Sequence, residues 1–205
     1  MKKLVVLDRD EQKRLIRRRR AMGGDRFDEV WNDVYIMSPD VDNEHQRAAT
    51  KLAGVLDRAL GEREDIQVFA GTNVSDRSER WKKNYRCPDV AVFLPGNPAQ
   101  DRGTHWLGGP DFAVEIISPN DRSRKKFEFY AQVGVRELLL VARKPWRLEL
   151  CRRHETEWAF VGKSDLEQPN VLASEVLALS FRLVEGPRRP RIEVTSADGA
   201  HRFHA

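Results

Sequence analysis

Cysteine and long apolar runs are both scarce in this sequence. Only Cys87 and Cys151 occur among 205 residues, and their number and spacing make neither a disulfide framework nor a metal-ligand set, so buried thiols are expected. No stretch approaches the roughly 18 consecutive apolar residues of a membrane span. The opening MKKLVVLDRDEQ reaches acid after a few apolar residues, too short for a secretory h-region. A cytoplasmic protein is therefore expected. There is no internal repeat or low-complexity segment, and an apolar content of 40% over 205 residues is enough for one domain core.

The charge is unevenly spread. The net charge is +4, yet residues 1–20 alone hold nine Lys/Arg against three Asp/Glu. That is +6, so the +4 total leaves residues 21–205 at −2. The body is therefore not basic, and KRLIRRRR (Lys13 to Arg20) reads more readily as a solvated helix face than as a phosphate contact. A second basic stretch, RSERWKKNYR, interleaves aromatics with Arg77, Arg80, Lys82, Lys83 and Arg86. It is the expected nucleic-acid contact because it runs directly into the acidic motif described below.

Periodicity sets the expected elements. RFDEVWNDVYIMSP (Arg26 to Pro39) reads as a hairpin turning at Asn32 and Asp33 and ended by Pro39. Asn43 to Leu60 reads as a helix with Ala48, Ala49, Leu52, Ala53, Leu56, Ala59 and Leu60 on one stripe, and Asn43 with Gln46 has capping-box spacing. Three strands are expected at Ile66 to Ser75, Pro88 to Leu94 and Asp111 to Ser118. A helix over Arg122 to Val133, capped by Gly134, precedes a dense apolar strand over Val135 to Ala142, and WRLELCRR with EWAFVG then makes a hairpin. This order predicts an α/β sandwich, a mixed β-sheet flanked by helices with hairpins appended. The expected division is a basic helical arm over 1–25, a domain over 26–186 and a C-terminal arm or tail over 187–205.

Two strands carry a costly residue. Asp89 opens RCPDVAVF after Pro88, and Glu115 sits inside FAVEIIS. An ionised carboxylate leaves water at a cost of several kcal/mol unless it is partnered. If the two strands pair, the acids come together and repel unless a cation lies between them. Carboxylate oxygens suit Mg²⁺ or Mn²⁺ rather than zinc. Lys126, four residues before Tyr130 on the next helix, is placed to orient or activate a nucleophilic water and to steady a phosphate. A salt bridge from Glu115 to Arg86 or Arg122 is the structural alternative.

Together, Pro88 and Asp89, Glu115 in EIISPND and Lys126 in KFEFYAQVGV resemble the PD-(D/E)XK nuclease superfamily, and more narrowly its Uma-type restriction-endonuclease branch. The similarity spans about Arg26 to Ala142. The superfamily's usual lysine position, two residues after the acid, is Ile117 here. The chain resembles members whose lysine has moved to the neighbouring helix, which maps onto Lys126, with Lys125 less favoured. The resemblance implies a three-layer restriction-endonuclease-like core and metal-dependent cleavage of DNA. Asp89 and Glu115 would be metal ligands and Lys126 the residue that positions water. It also places a recurrent histidine at His45, which shares the inward helix stripe, although a hydrogen-bonded structural histidine reads equally well. Glu44 and Tyr130 are expected behind the ligands, Glu44 chiefly as a first-turn acid and Tyr130 chiefly as core. Ser118 and Asn120 are expected to cap the helix, and His201 and His204 fall in the tail. Cutting both strands points to a homodimer. The competing reading is a nucleic-acid-binding or regulatory module that keeps the fold without cleaving.

Overall fold

A computed structural model describes residues 8–38, 42–61, 63–117 and 123–205. The expected roles of Pro39, Ser118, Asn120 and Arg122 lie outside the described residues. Helix α1 (Arg9–Ala21) begins at Asp8, whose carboxylate accepts the Glu11 N–H at 2.7 Å. Acids in its first turn and arginines in its last complement the helix dipole. It buries no residue of its own. Its attachment is Arg19, which donates to Asp28 at 2.6 and 2.9 Å. Strands β1 (Glu29–Trp31) and β2 (Val34–Ile36) form the expected hairpin. Asn32 and Asp33 both take positive φ, 46° and 66°, as a two-residue turn with the right twist requires.

Helix α2 (Asn43–Ala59) is capped by Asp42, which accepts the His45 N–H at 2.7 Å, so the cap lies one residue before the expected Asn43. Its buried stripe is His45, Ala49, Leu52, Ala53, Val55 and Leu56. Leu52 and Leu56 are completely buried, and shortening either to alanine costs about 2–5 kcal/mol.

The single strand expected over Ile66 to Ser75 is two: β3 (Gln67–Ala70) and β4 (Val74–Ser75), which belong to different sheets. Gly71 makes the break at φ +73°, where a Cβ would also come within 3.0 Å of the Phe27 ring. A 3₁₀ turn at Trp81–Lys83 leads to β5 (Tyr85–Arg86), β6 (Val90–Phe93), β7 (Gln100–Asp101), β8 (Trp106–Leu107) and β9 (Phe112–Ile117). The next helix is shorter than expected. Ser123–Lys126 is a 3₁₀ turn and only α3 (Phe127–Gln132) is α-helical, ending before Gly134 at φ +95°. Then come β10 (Glu137–Arg143), β11 (Trp146–His154), β12 (Glu157–Asp165), β13 (Leu172–Ser174), β14 (Leu179–Val184), β15 (Arg191–Ser196) and β16 (Arg202–His204).

The central sheet runs β12-β11-β10-β9-β6-β3, with β9 and β10 parallel and the other pairs antiparallel. One face packs on α2 and on a four-stranded sheet, β13-β14-β15-β16, through residues such as Val90, Val114, Leu139 and Phe181. The opposite face meets α3 and the sheet β2-β1-β5-β4-β8-β7, through Ala91, Phe93, Ala113 and Leu140 against Phe129, Tyr130 and Trp106. In β10, residues Leu138 to Val141 are wholly buried, as a strand covered on both faces must be. The expectation of a C-terminal arm or tail is corrected. Strand β15 pairs with β14, β16 pairs with β15, and Ile192 and Val194 are core residues, because alternation in RIEV matches the inward face of that sheet. Both cysteines are free and buried. Among the described residues, no helix is long and apolar enough to cross a membrane.

Candidate active site

The two strand acids meet where β6 and β9 part. Val90 pairs with Val114, so Asp89, the residue just before β6, falls across from Glu115. Beyond that pair the Asp89 side chain continues the ladder: its Oδ2 accepts the Ile116 N–H at 2.7 Å, while its own N–H donates to the Val114 carbonyl. His45, in the first turn of α2, brings Nε2 to 3.3 Å from the same Oδ2. Among the described residues, its Nδ1 has no hydrogen-bond partner.

Glu115 is buried, and both of its oxygens are engaged. The Lys126 ammonium donates to Oε1 and Oε2 at 2.9 Å each, the Tyr130 hydroxyl donates to Oε1, and Ser123 donates to Oε2 at 3.3 Å. Lys126 reaches inward from the end of the 3₁₀ turn, not from an α-helical face. It is 12% exposed, whereas the Lys125 position is open to solvent. Tyr130, read chiefly as core, thus also touches the site.

Glu29 was not among the expected site residues. Its Oε1 lies 2.8 Å from the Lys126 ammonium and accepts the Cys87 N–H, while Oε2 accepts from the Trp31 indole at 2.7 Å. The signal lay in FDEVW: in a β-strand Glu29 shares a face with Phe27 and Trp31, the same acid among apolar residues that drew attention to Glu115.

These groups hold an excess of negative charge. Burial pushes the Glu115 carboxyl up to about 8; Lys126 opposes the shift, while Asp89 and Glu29 add to it. Burial alone would lower Lys126, but the Glu115 and Glu29 carboxylates outweigh it and hold the ammonium charged. Burial, reinforced by Glu115 and Glu29, also keeps the Tyr130 phenol protonated and hence a donor. One ammonium among three carboxylates does not balance the site, and it gains by taking up a proton or a further cation. The donors are oxygens on Asp89 and Glu115, which fits a hard divalent ion. Among the described residues, no three His, Cys, Asp or Glu side chains gather as a complete cage, so such an ion would draw its other ligands from water or phosphate.

The remaining expected residues scatter. Glu44 pairs with Arg189 of the C-terminal segment and takes no part in the site. Arg86 is corrected as a nucleic-acid contact. It is 4% exposed and lies between the rings of Trp31 and Phe129, its guanidinium carbon 4.6 and 4.2 Å from their centres. Its Nη1 donates to the Val30 and Tyr85 carbonyls at 3.0 and 3.1 Å. The expected salt bridge from Arg86 to Glu115 is not formed, and Lys126 takes that place. Arg77 and Lys83 are drawn to Asp33 at the hairpin tip, at 4.0 and 2.8 Å. Arg80 and Lys82 remain exposed, with the Lys82 ammonium 5.6 Å from the Trp81 ring centre. His204 lies 3.5 Å from Glu193 within the third sheet.

Comparison with known proteins adds to this geometry. A solved structure described as a putative nuclease belonging to DUF820, from Anabaena variabilis ATCC 29413, aligns with a TM-score of 0.54 at 15% identity. The alignment covers 78% of this chain and 82% of that one. At that identity the likeness establishes the fold, which is restriction-endonuclease-like. No curated protein matches the sequence. The model of the Uma2 family, described as "putative restriction endonuclease", matches residues 16–184, and the chain belongs to that family.

Proposed function

We propose that this chain is a cytoplasmic endonuclease, dependent on a divalent metal, that hydrolyses phosphodiester bonds in DNA. The observation that carries this reading is the placement of Asp89 across from Glu115 with the Lys126 ammonium on the latter. Asp89 and Glu115 would hold Mg²⁺ or Mn²⁺, which when bound offsets charge developing on the scissile phosphate and lowers the pKa of water. Asp89 is pre-aimed by the Ile116 N–H and by His45, so little reorganisation is needed when it acts. Tyr130 and Ser123 fix the two oxygens of Glu115. Lys126 would orient the attacking water and counter phosphate charge, with Glu29 as the second carboxylate that holds its ammonium in place.

The test is incubation of the purified protein with supercoiled plasmid. Nicked and linear products are expected with Mg²⁺ or Mn²⁺, and none with EDTA or with Asp89→Ala. Cleavage that survives Asp89→Ala at the wild-type rate overturns the assignment.

One observation favours a second reading, in which the fold binds nucleic acid without cutting it. Both Glu115 oxygens are already satisfied by protein donors, as in a closed ion-pair network. Under that reading plasmid stays intact with every divalent ion while binding persists and ignores metal. For the cutting enzyme we also propose a homodimer, since a two-fold axis supplies one site per strand. The central sheet ends at β12, which exposes Phe160 and Val161 and is the edge we assign to that pairing.

A further inference from the structure

The outer side of α2 faces a second feature. The turn Pro187–Arg191 folds back over the first half of the helix and encloses with it a cavity of about 470 Å³, walled also by Trp146. Glu44 ties the two walls together through Arg189. Arg47 and Lys51 line the helix wall, and Arg188 and Arg191 line the other. All four are exposed, and among the described residues none has a hydrogen bond or ion pair through its side chain. The cavity thus collects four cations without an ion pair among the described residues, on a body whose net charge outside residues 1–20 is −2. Such segregation raises the local positive potential where a neutral average would show none.

Its position gives the charge a direction. Helix α2 delivers His45 to Asp89 from one side of its first turns and presents Arg47 and Lys51 from another. At about 1.5 Å of rise per residue, Lys51 stands roughly 9 Å along the helix axis from His45. At 3.6 residues per turn Arg47 and Lys51 lie roughly 160° and 120° around the helix from His45, so a duplex that touches both the acidic site and this cleft crosses the N-terminal end of α2. Three of the four free cations are arginines, whose planar fork matches phosphate oxygens. The half-buried Trp146 indole gives a flat apolar wall for a backbone sugar.

We propose that the cleft between α2 and Pro187–Arg191 binds the phosphate backbone of duplex DNA flanking the acidic site. Arg47, Lys51, Arg188 and Arg191 take the phosphates. The proposal rests on the nuclease reading for its choice of DNA but makes a separate claim about binding.

The experiment measures anisotropy of a fluorescein-labelled duplex across a salt series, in EDTA so that binding is read without cleavage. The full chain is compared with Arg47→Glu/Lys51→Glu, with Arg188→Glu/Arg191→Glu, and with Arg63→Glu/Arg102→Glu as a control carrying the same charge change elsewhere. The two cleft variants each weaken binding about tenfold or more and lower the slope of log affinity against log salt by about 2, at roughly 0.9 per phosphate contact. The control keeps the wild-type slope. Thermal melts check that each variant folds, and the two walls must agree. The proposal is overturned if the wild type does not bind duplex, or if both cleft variants match it. It is also overturned if the control loses as much, or if the cleft variants lose binding only to phosphatidylserine vesicles. Wild-type cleavage with unchanged binding in the cleft variants refutes the cleft and leaves the nuclease reading intact. Cleft-dependent binding without cleavage does the reverse.

Discussion

The Lys126 ammonium lies 2.8 Å from Glu29 Oε1 and 2.9 Å from both oxygens of Glu115, so a single cation joins the β1 hairpin to the strand carboxylate. Glu29 and Glu115 are each 4% exposed at the side chain. Removing the cation from between buried acids leaves charge with no nearby compensation, which typically costs about 3–5 kcal/mol. Lys126→Ala is expected to lose stability on that order in urea unfolding and to abolish plasmid cleavage. Lys126→Arg, which keeps the charge, is expected to recover most of the stability. Equal midpoints for the wild type and Lys126→Ala would show that the pair contributes nothing.

The same site sets a pH dependence. The Glu115 carboxyl sits near 8 in the fold against an ordinary value of 4.5, chiefly from burial and then from Asp89 and Glu29 acting against Lys126. The folded state therefore binds more protons than the unfolded chain between those values, and metal-free stability falls as pH rises through that window. Glu115→Gln removes the titrating group and should flatten the curve. Mg²⁺ should also flatten it, by supplying the charge a proton otherwise provides. Chemical denaturation at a series of pH values, with and without Mg²⁺, reads both effects.

How far the site was legible in the sequence follows from how far apart its parts lie. Asp89, Glu115 and Lys126 could be found because each breaks a local pattern, an acid in an apolar strand or a base on an inward stripe. Glu29 breaks the same pattern in a strand of only three residues, too short for alternation to stand out. The burial of Arg86 depends on Trp31 and Phe129, separated from it by 55 and 43 positions, and no local window contains that sandwich. The α2 stripe and the both-sides-covered β10 were readable because burial there follows a period of 3.6 or a continuous apolar run. The break at Gly71 and the third sheet were not, since both depend on which sheet a short strand joins.

Asp42 links the helix start to the sheet. It caps α2 through the His45 N–H and accepts two Arg143 donors at 2.6 and 3.1 Å, and the Arg143 hydrogen bonds, then the His45 N–H, hold its carboxyl down to about 2. The stabilisation is present above the unfolded value near 3.8 and is lost as pH falls through 2. Asp42→Ala loses the cap, worth about 1 kcal/mol, and strips the partner from Arg143, a residue only 7% exposed. A loss in thermal stability together with weaker catalysis is expected, because the first turn that carries His45 frays. Retained activity in a destabilised Asp42→Ala variant would separate His45 placement from the cap.

The basic loop before β6 divides into two kinds of arginine and lysine, and mutation should distinguish them. Arg80 and Lys82 are exposed, so Arg80→Ala/Lys82→Ala is expected to leave the fold intact. If each contacts a phosphate, the variant lowers the salt slope of DNA binding by roughly 0.9 per lost contact. Arg86 cannot act that way: its guanidinium is stacked between Trp31 and Phe129 and hydrogen-bonded to backbone carbonyls. Arg86→Ala leaves a cavity between two rings and frees buried acceptors, so it should destabilise by about 2–5 kcal/mol. It should leave the salt slope of the remaining folded protein unchanged. Salt-series anisotropy beside urea melts tells the two apart. A lowered slope with full stability in Arg86→Ala would mean that the side chain swings out to meet phosphate.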